Sequence, residues 1–297
     1  MDKIKVAFTA HKSPHSCKEH LDELKMCTPN HSGIWKNIQG VETVEEADYY
    51  IVLDGIPKFL RSKITDYSRI ISFQLEPNSF NRQSSKEMFL VKDKLFRYFD
   101  YDNYGFPVYW WNRLPFERLE VLPYGDKSKN LSCMMTTKTY RKMPTYQHRL
   151  NFLDRFIEKY GNEIEVYGWG TENKTHLAFK GPLDYNKRCN YKAFDGYKYS
   201  FLCENSSEKG HFTPRIIDAM LNWCVPIYWG ATNIYDFFPE KALYIIDIYK
   251  DSIDKLYEIS QQPITNENVE ALKEARNLII YEYNIWEKIY KEINNVI

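Results

Sequence analysis

Net charge is absent from this chain: 40 Lys and Arg stand against 40 Asp and Glu over 297 residues. Without a basic excess there is no field to hold a long nucleic acid, so any positive site is local. The six cysteines include no Cys-x-x-Cys pair, so the spacing of a structural zinc site is missing. Cys133, Cys203 and Cys224 lie in apolar runs, where cysteine behaves as a small hydrophobe. A reducing, cytoplasmic setting is therefore expected rather than a disulfide framework. No stretch reaches the ~20 apolar residues of a bilayer span, and no membrane span is expected. The opening "MDKIKVAFTA" reads as a first strand, not a signal peptide. Also missing are Gly-x-x-x-x-Gly-Lys-Ser/Thr, Gly-x-Gly-x-x-Gly and His-Glu-x-x-His, which removes P-loop, dinucleotide and zincin chemistry.

What is present is a globular composition, 43% hydrophobic and 16% aromatic with 24 Tyr. Such aromatic content serves cores and also lines wide clefts. Short Ile/Val/Tyr/Phe runs at Lys3–Ala10, Asp48–Asp54 and Arg69–Leu75 alternate with helical or loop segments such as "PKFLRSKITDYS" from Pro57. That alternation predicts a parallel sheet with crossovers. The Pro- and aromatic-rich stretch Phe106–Lys129 has no clear period and reads as a linker.

The alternation then restarts. Asn130–Thr137, "EIEVYGWG", "YKYSFLCENS", "VPIYWG" and "KALYIID" are strand candidates. Leu150, Leu153, Phe156, Ile157 and Tyr160 share one helical stripe that Gly161 stops. A charged amphipathic segment closes the chain. The expected fold class is α/β, two Rossmann-like doubly wound lobes facing a central cleft. A first lobe is expected over 1–128, a second over 129–264 and a C-terminal helical segment over 265–297, packing back on the first lobe. Open sheets of this kind bind ligands at the carboxyl ends of their strands.

The most informative stretch is "FLCENSSEKGHFTPRIIDAMLNWCVPIYWGATNI", Phe201–Ile234. Thr213 is placed to cap a helix, and Pro214 suits its first turn because the missing N–H has no partner there anyway. Arg215 then lies at the positive end of the helix dipole. A cation fits that end if an anion such as a phosphate occupies the tip. The alternative is that Arg215 faces solvent or pairs with Glu204 or Glu208.

This stretch resembles the signature of family 10 glycosyltransferases, the α-1,3/1,4-fucosyltransferases. Glu204, Asn205, Ser206, Gly210, Thr213, Asp218, Ala219, Pro226, Tyr228, Trp229, Gly230, Asn233 and Ile234 match in order. The resemblance implies a GT-B fold and metal-independent, inverting transfer from a nucleotide sugar to a glycan acceptor, with no cofactor required. It implies diphosphate contacts from Arg149, in the upstream helix, and from Arg215. Glu204, Asn205, Gly210, His211 and Thr213 would complete the donor site. The family's Tyr-x-Thr-Glu-Lys is His211-Phe212-Thr213-Pro214-Arg215 here. Arg215 keeps the charge, while Pro214 replaces a Glu that lies near the donor sugar and base. GDP-fucose is the first expectation for the donor. The Thr-x-Arg helix start is also similar to exostosin-type transferases, which leaves a UDP-sugar such as UDP-xylose as the second. A catalytically inactive glycan-binding protein is a third reading.

The apolar run ending at Leu75 delivers Glu76-Pro77 into the following loop. A carboxylate at a strand's carboxyl end can take the proton of an acceptor hydroxyl. The family's base is likewise a Glu after such a strand, so the resemblance extends that role to Glu76. The "DYDNY" segment places Asp100 and Asp102 in an Asp-x-Asp spacing. It follows no apolar strand and reads as a surface turn, not a metal site.

Overall fold

The computed structural model describes residues 2–11, 16–77, 83–101, 108–112, 114–137, 144–183 and 190–295, and in it the chain builds two six-stranded sheets in succession. The first contains β1 (Ile4–Ala10), β2 (Ile34–Trp35), β3 (Ile38–Gly40), β4 (Tyr49–Leu53), β5 (Ile70–Phe73) and β6 (Arg97–Phe99), in the order β2-β3-β1-β4-β5-β6. Only β2 runs antiparallel. Helix α1 (Cys17–Leu24) follows β1, opened by a capping box between Ser16 and Glu19, and α2 (Gln83–Leu90) precedes β6. All four residues of β5 and four of five in β4 are buried, as parallel strands covered on both faces require.

The stretch read as a linker carries a short helix, α3 (Phe116–Val121), because buried Phe116 and Leu119 anchor it. The second sheet then forms from β7 (Lys129–Met134), β8 (Glu165–Tyr167), β9 (Phe179–Gly181), β10 (Tyr197–Cys203), β11 (Val225–Trp229) and β12 (Tyr244–Ile245). Its order, β12-β11-β10-β7-β8-β9, is wholly parallel and reverses direction between β7 and β10. Helix α4 (Pro144–Tyr160) buries Leu150, Leu153, Phe156 and Ile157, and stops at Gly161, whose φ is 61°. Helix α5 (Pro214–Leu221) leads into β11 and is buried along most of its length.

The chain ends in α6 (Ile253–Ser260), α7 (Asn266–Asn277), a π-helical turn at Leu278–Glu282, and α8 (Ile285–Ile293). Helix α8 lies on the first sheet. Its Trp286 meets Phe8 edge-on at 5.0 Å and donates to the Leu24 carbonyl at 3.0 Å. Two buried charges tie the connection between the lobes to the second one. Asp218 in α5 accepts the backbone N–H groups of Trp111 and Asn112 at 2.8 and 3.0 Å. Arg276 in α7 donates to the carbonyls of Leu119 and Leu221 and lies over the Trp223 ring, while burial pushes its pKa down to about 10.

Asp100 differs from its expected setting. It directly follows β6, and Tyr101 beside it is only 3% exposed, so this is a strand end that enters the interior. The run was hidden because β6 has three residues and opens with the exposed Arg97. Asp102, Cys189 and part of the Phe106–Lys129 stretch lie outside the described residues. Cys17, Cys27, Cys133, Cys203 and Cys224 are buried free thiols. Among the described residues no helix is long and apolar enough to cross a membrane.

Candidate active site

The loop after β10 and the first turn of α5 bring Glu204, Thr213 and Arg215 together. Glu204 is 1% exposed. Its Oε1 accepts the amide and the hydroxyl of Thr213 at 2.9 and 3.0 Å, and its Oε2 meets Arg215 Nη2 at 2.6 Å. Thr213 does occupy the N-cap position, but its side chain caps no amide: the hydroxyl donates to Glu204 and accepts from Arg215 Nε at 3.2 Å. The pairing with Glu204, weighed above as the alternative to an anion, is thus present. Arg215 Nη1 also reaches the Met134 carbonyl at 3.5 Å, at the end of β7. Burial works against the charge on Arg215, but the charge and hydrogen bond of Glu204 outweigh it and raise its pKa.

Arg149, in the second turn of α4, is 1% exposed. Its Nη1 donates to Asn205 Oδ1 at 2.9 Å and the Cys203 carbonyl at 3.3 Å, and its guanidinium lies 3.9 Å from the Tyr146 ring centre. Its Nε and Nη2 are buried with no hydrogen-bond partner among the described residues. Burial, and then the charge of Arg215, lower its pKa. Buried donors without acceptors are costly, so an acceptor supplied to these two nitrogens would stabilise the guanidinium.

His211 joins the two lobes. Its Nδ1 shares a 3.1 Å hydrogen bond with the Tyr101 hydroxyl, and the rings meet edge-on at 5.2 Å. Gly210, at φ 70°, makes this approach possible: a Cβ there would lie 2.7 Å from the Tyr101 carbonyl oxygen. Asn233 secures the same turn by accepting the Gly210 N–H at 2.7 Å. Burial lowers the His211 pKa despite the nearby Glu204 and Glu208 charges. The Tyr101 phenol is held well above its usual range by burial, then by the charges of Asp54, Glu76 and Glu208. Glu76 is partly buried three residues beyond β5, and its charge is among those that raise the Tyr101 phenol.

Asp54, Tyr101 and Trp169 are three contributors that had no signal in the sequence. The Trp169 indole is 56% exposed at the carboxyl end of β8. It is displayed between Gly168 (φ 136°) and Gly170 (φ 91°), and its carbonyl is held by the Thr136 hydroxyl and the Thr137 amide at 3.0 and 2.8 Å. Strand β8 lies two strands from β10, roughly 10 Å across the sheet. The flanking glycines mark a tight loop, but only the sheet order puts that loop at the same sheet end as Arg215. Among the described residues no group of three or more His, Cys, Asp or Glu could hold a metal ion.

Two doubly wound sheets with a buried cationic site at the carboxyl edge of the second define a GT-B glycosyltransferase fold. The crystal structure of an alpha1,3-fucosyltransferase shares it with a TM-score of 0.52, at 16% identity, over 98% of this chain and 90% of that one. T4 phage BGT in complex with UDP and Mn2+ shares it with a TM-score of 0.51, at 11% identity, over 97% and 99%. Residues 126–268, which include all six strands of the second sheet, match glycosyltransferase family 10 (fucosyltransferase) C-term. The Alpha-(1,3)-fucosyltransferase FucT of Helicobacter pylori is 32% identical over 97 residues, which span 31% of this chain and 19% of that protein's length.

Proposed function

We propose that the protein transfers a sugar, with inversion, from a nucleotide sugar to a glycan hydroxyl, and that the donor is GDP-fucose. The observation that carries this reading is the buried Arg149, whose Nε and Nη2 lack acceptors among the described residues, beside an Arg215 held by Glu204. A diphosphate supplies such acceptors, and two fixed positive charges stabilise it as it leaves, without a bound metal. In the tautomer where the Tyr101 hydroxyl donates to His211 Nδ1, Nε2 carries the proton and can offer it to a donor oxygen. Trp169 offers a stacking face for the nucleobase. Glu76 takes the proton of the acceptor hydroxyl; the oxygen attacks the anomeric carbon opposite the diphosphate, whose C–O bond breaks.

The family 10 domain and its fucosyltransferase relative support fucose. Pro214 at the first position of α5 favours a second reading, a UDP-sugar donor, because it replaces the family's Glu there. The test is release of nucleoside diphosphate from GDP-fucose or UDP-sugars in the presence of glycan acceptors, with and without EDTA. GDP release insensitive to EDTA supports the first reading and UDP release the second. Glycan binding with no nucleotide release would leave a binding protein.

A further inference from the structure

Strand β4 ends at Leu53, and the next residue, Asp54, turns into the left-handed region with φ 65°. That conformation is uncommon for a residue with a Cβ, and such outliers persist where the surrounding structure over-determines them. Here the turn aims the carboxylate at the end of the neighbouring strand. Asp54 Oδ1 accepts the backbone N–H groups of Leu75 and Glu76 at 2.7 and 3.2 Å, while the Asp54 amide donates to the Phe73 carbonyl at 2.8 Å.

The other side of Glu76 is held too. Gln74 Nε2 donates to the Glu76 carbonyl at 2.9 Å, and the Tyr98 hydroxyl meets Gln74 Oε1 at 3.4 Å. Pro77 follows and biases Glu76 toward extended backbone. Both peptide groups flanking the Glu76 Cα are therefore fixed by side chains, beyond the last paired residue of β5.

We propose that Asp54 is a positioning residue: it sets the Glu76 carboxylate at its working geometry through hydrogen-bond acceptance, not through its charge. The proposal rests on the reading of Glu76 as the base. A base acts only within hydrogen-bond reach of the proton it takes, and a misplacement of ~1 Å can cost about 10²-fold in rate.

Two substitutions separate the contributions. Asp54→Gly accepts the same φ at no steric cost but deletes the acceptor. Asp54→Asn tolerates left-handed backbone and keeps an acceptor oxygen while removing the charge. With GDP-fucose and a glycan acceptor, Asp54→Gly should lower kcat about 10-fold or more while acceptor KM and GDP affinity stay within about threefold. Asp54→Asn should stay within about threefold of the parent protein in all three. Hydrogen exchange should show the Leu75 and Glu76 amides losing protection in the Gly variant and keeping it in the Asn variant.

Glu76→Gln is measured alongside, alone and combined with Asp54→Gly. Because Asp54 acts through Glu76, the double variant should be no slower than Glu76→Gln alone. A slow Glu76→Gln beside an Asp54→Gly with unchanged kcat would overturn the role of Asp54 alone. So would an Asn variant as slow as the Gly variant, which would make charge the operative feature. Glu76→Gln at full turnover would overturn the base assignment, and the positioning role with it.

Discussion

Arg215 and Glu204 form an ion pair of 2.6 Å in which the carboxylate, 1% exposed, also takes both donors of Thr213. The pair joins the loop after β10 to the first turn of α5, so the proposed donor site and the packing of the lobe share one contact. Breaking it affects both. Arg215→Ala should lower stability by about 3 kcal/mol or more, because it leaves a buried carboxylate uncompensated. Urea denaturation measures this. Pairing the change with Glu204→Gln should recover part of the loss, and no recovery would mean that the carboxylate is not the source.

Arg149 predicts opposite signs for stability and binding. Its charge is buried, and two of its nitrogens lack acceptors among the described residues. Arg149→Met keeps most of the side chain's volume and removes the desolvation cost, so the melting temperature without ligand should hold or rise. Affinity for GDP should fall by about 10-fold or more, the worth of a charge-assisted hydrogen bond. Calorimetric titration alongside thermal melts checks both directions.

Trp169 should contribute to nucleobase binding and not to anion binding. Trp169→Ala is expected to weaken GDP by about 5-fold or more, from the ~1–3 kcal/mol typical of base–aromatic stacking. It should leave inorganic pyrophosphate unchanged, whereas Arg149→Met weakens both. Equal losses for GDP and pyrophosphate after Trp169→Ala would remove the stacking role.

His211 makes stability pH-dependent. Burial lowers its folded pKa below the ordinary 6.5, so the unfolded chain binds more protons between the two values. Stability from this group is fully present above pH 6.5 and is lost as pH falls from there through the folded value. His211→Gln should flatten that part of the profile. Urea midpoints between pH 8 and pH 5 for the two proteins would show it, and parallel profiles would contradict it.

Apolar runs alone made the main strands of both sheets legible, because strands buried on both faces need continuous Ile, Val, Tyr and Phe. The stripe of α4 and the stop at Gly161 were legible for the same local reason. The signature from Phe201 to Ile234 marked one lobe's site, since a strand end, a loop and a helix start are contiguous there. Strands β2, β3, β6 and β9 have only two or three residues each, too few for a period to register, and they form because neighbouring strands offer open ladders.

Tertiary structure decided the rest, through pairs that chain distance separates. Asp54 meets Glu76 only because β4 and β5 are neighbours, and Tyr101 meets His211 only where the lobes close on each other. Trp169 and Arg215 share one end of the second sheet because β8 pairs with β7, a fact of strand order that no local pattern encodes. Residue types and local spacing determined which segments could carry chemistry. Burial and strand order determined which of their side chains share a site.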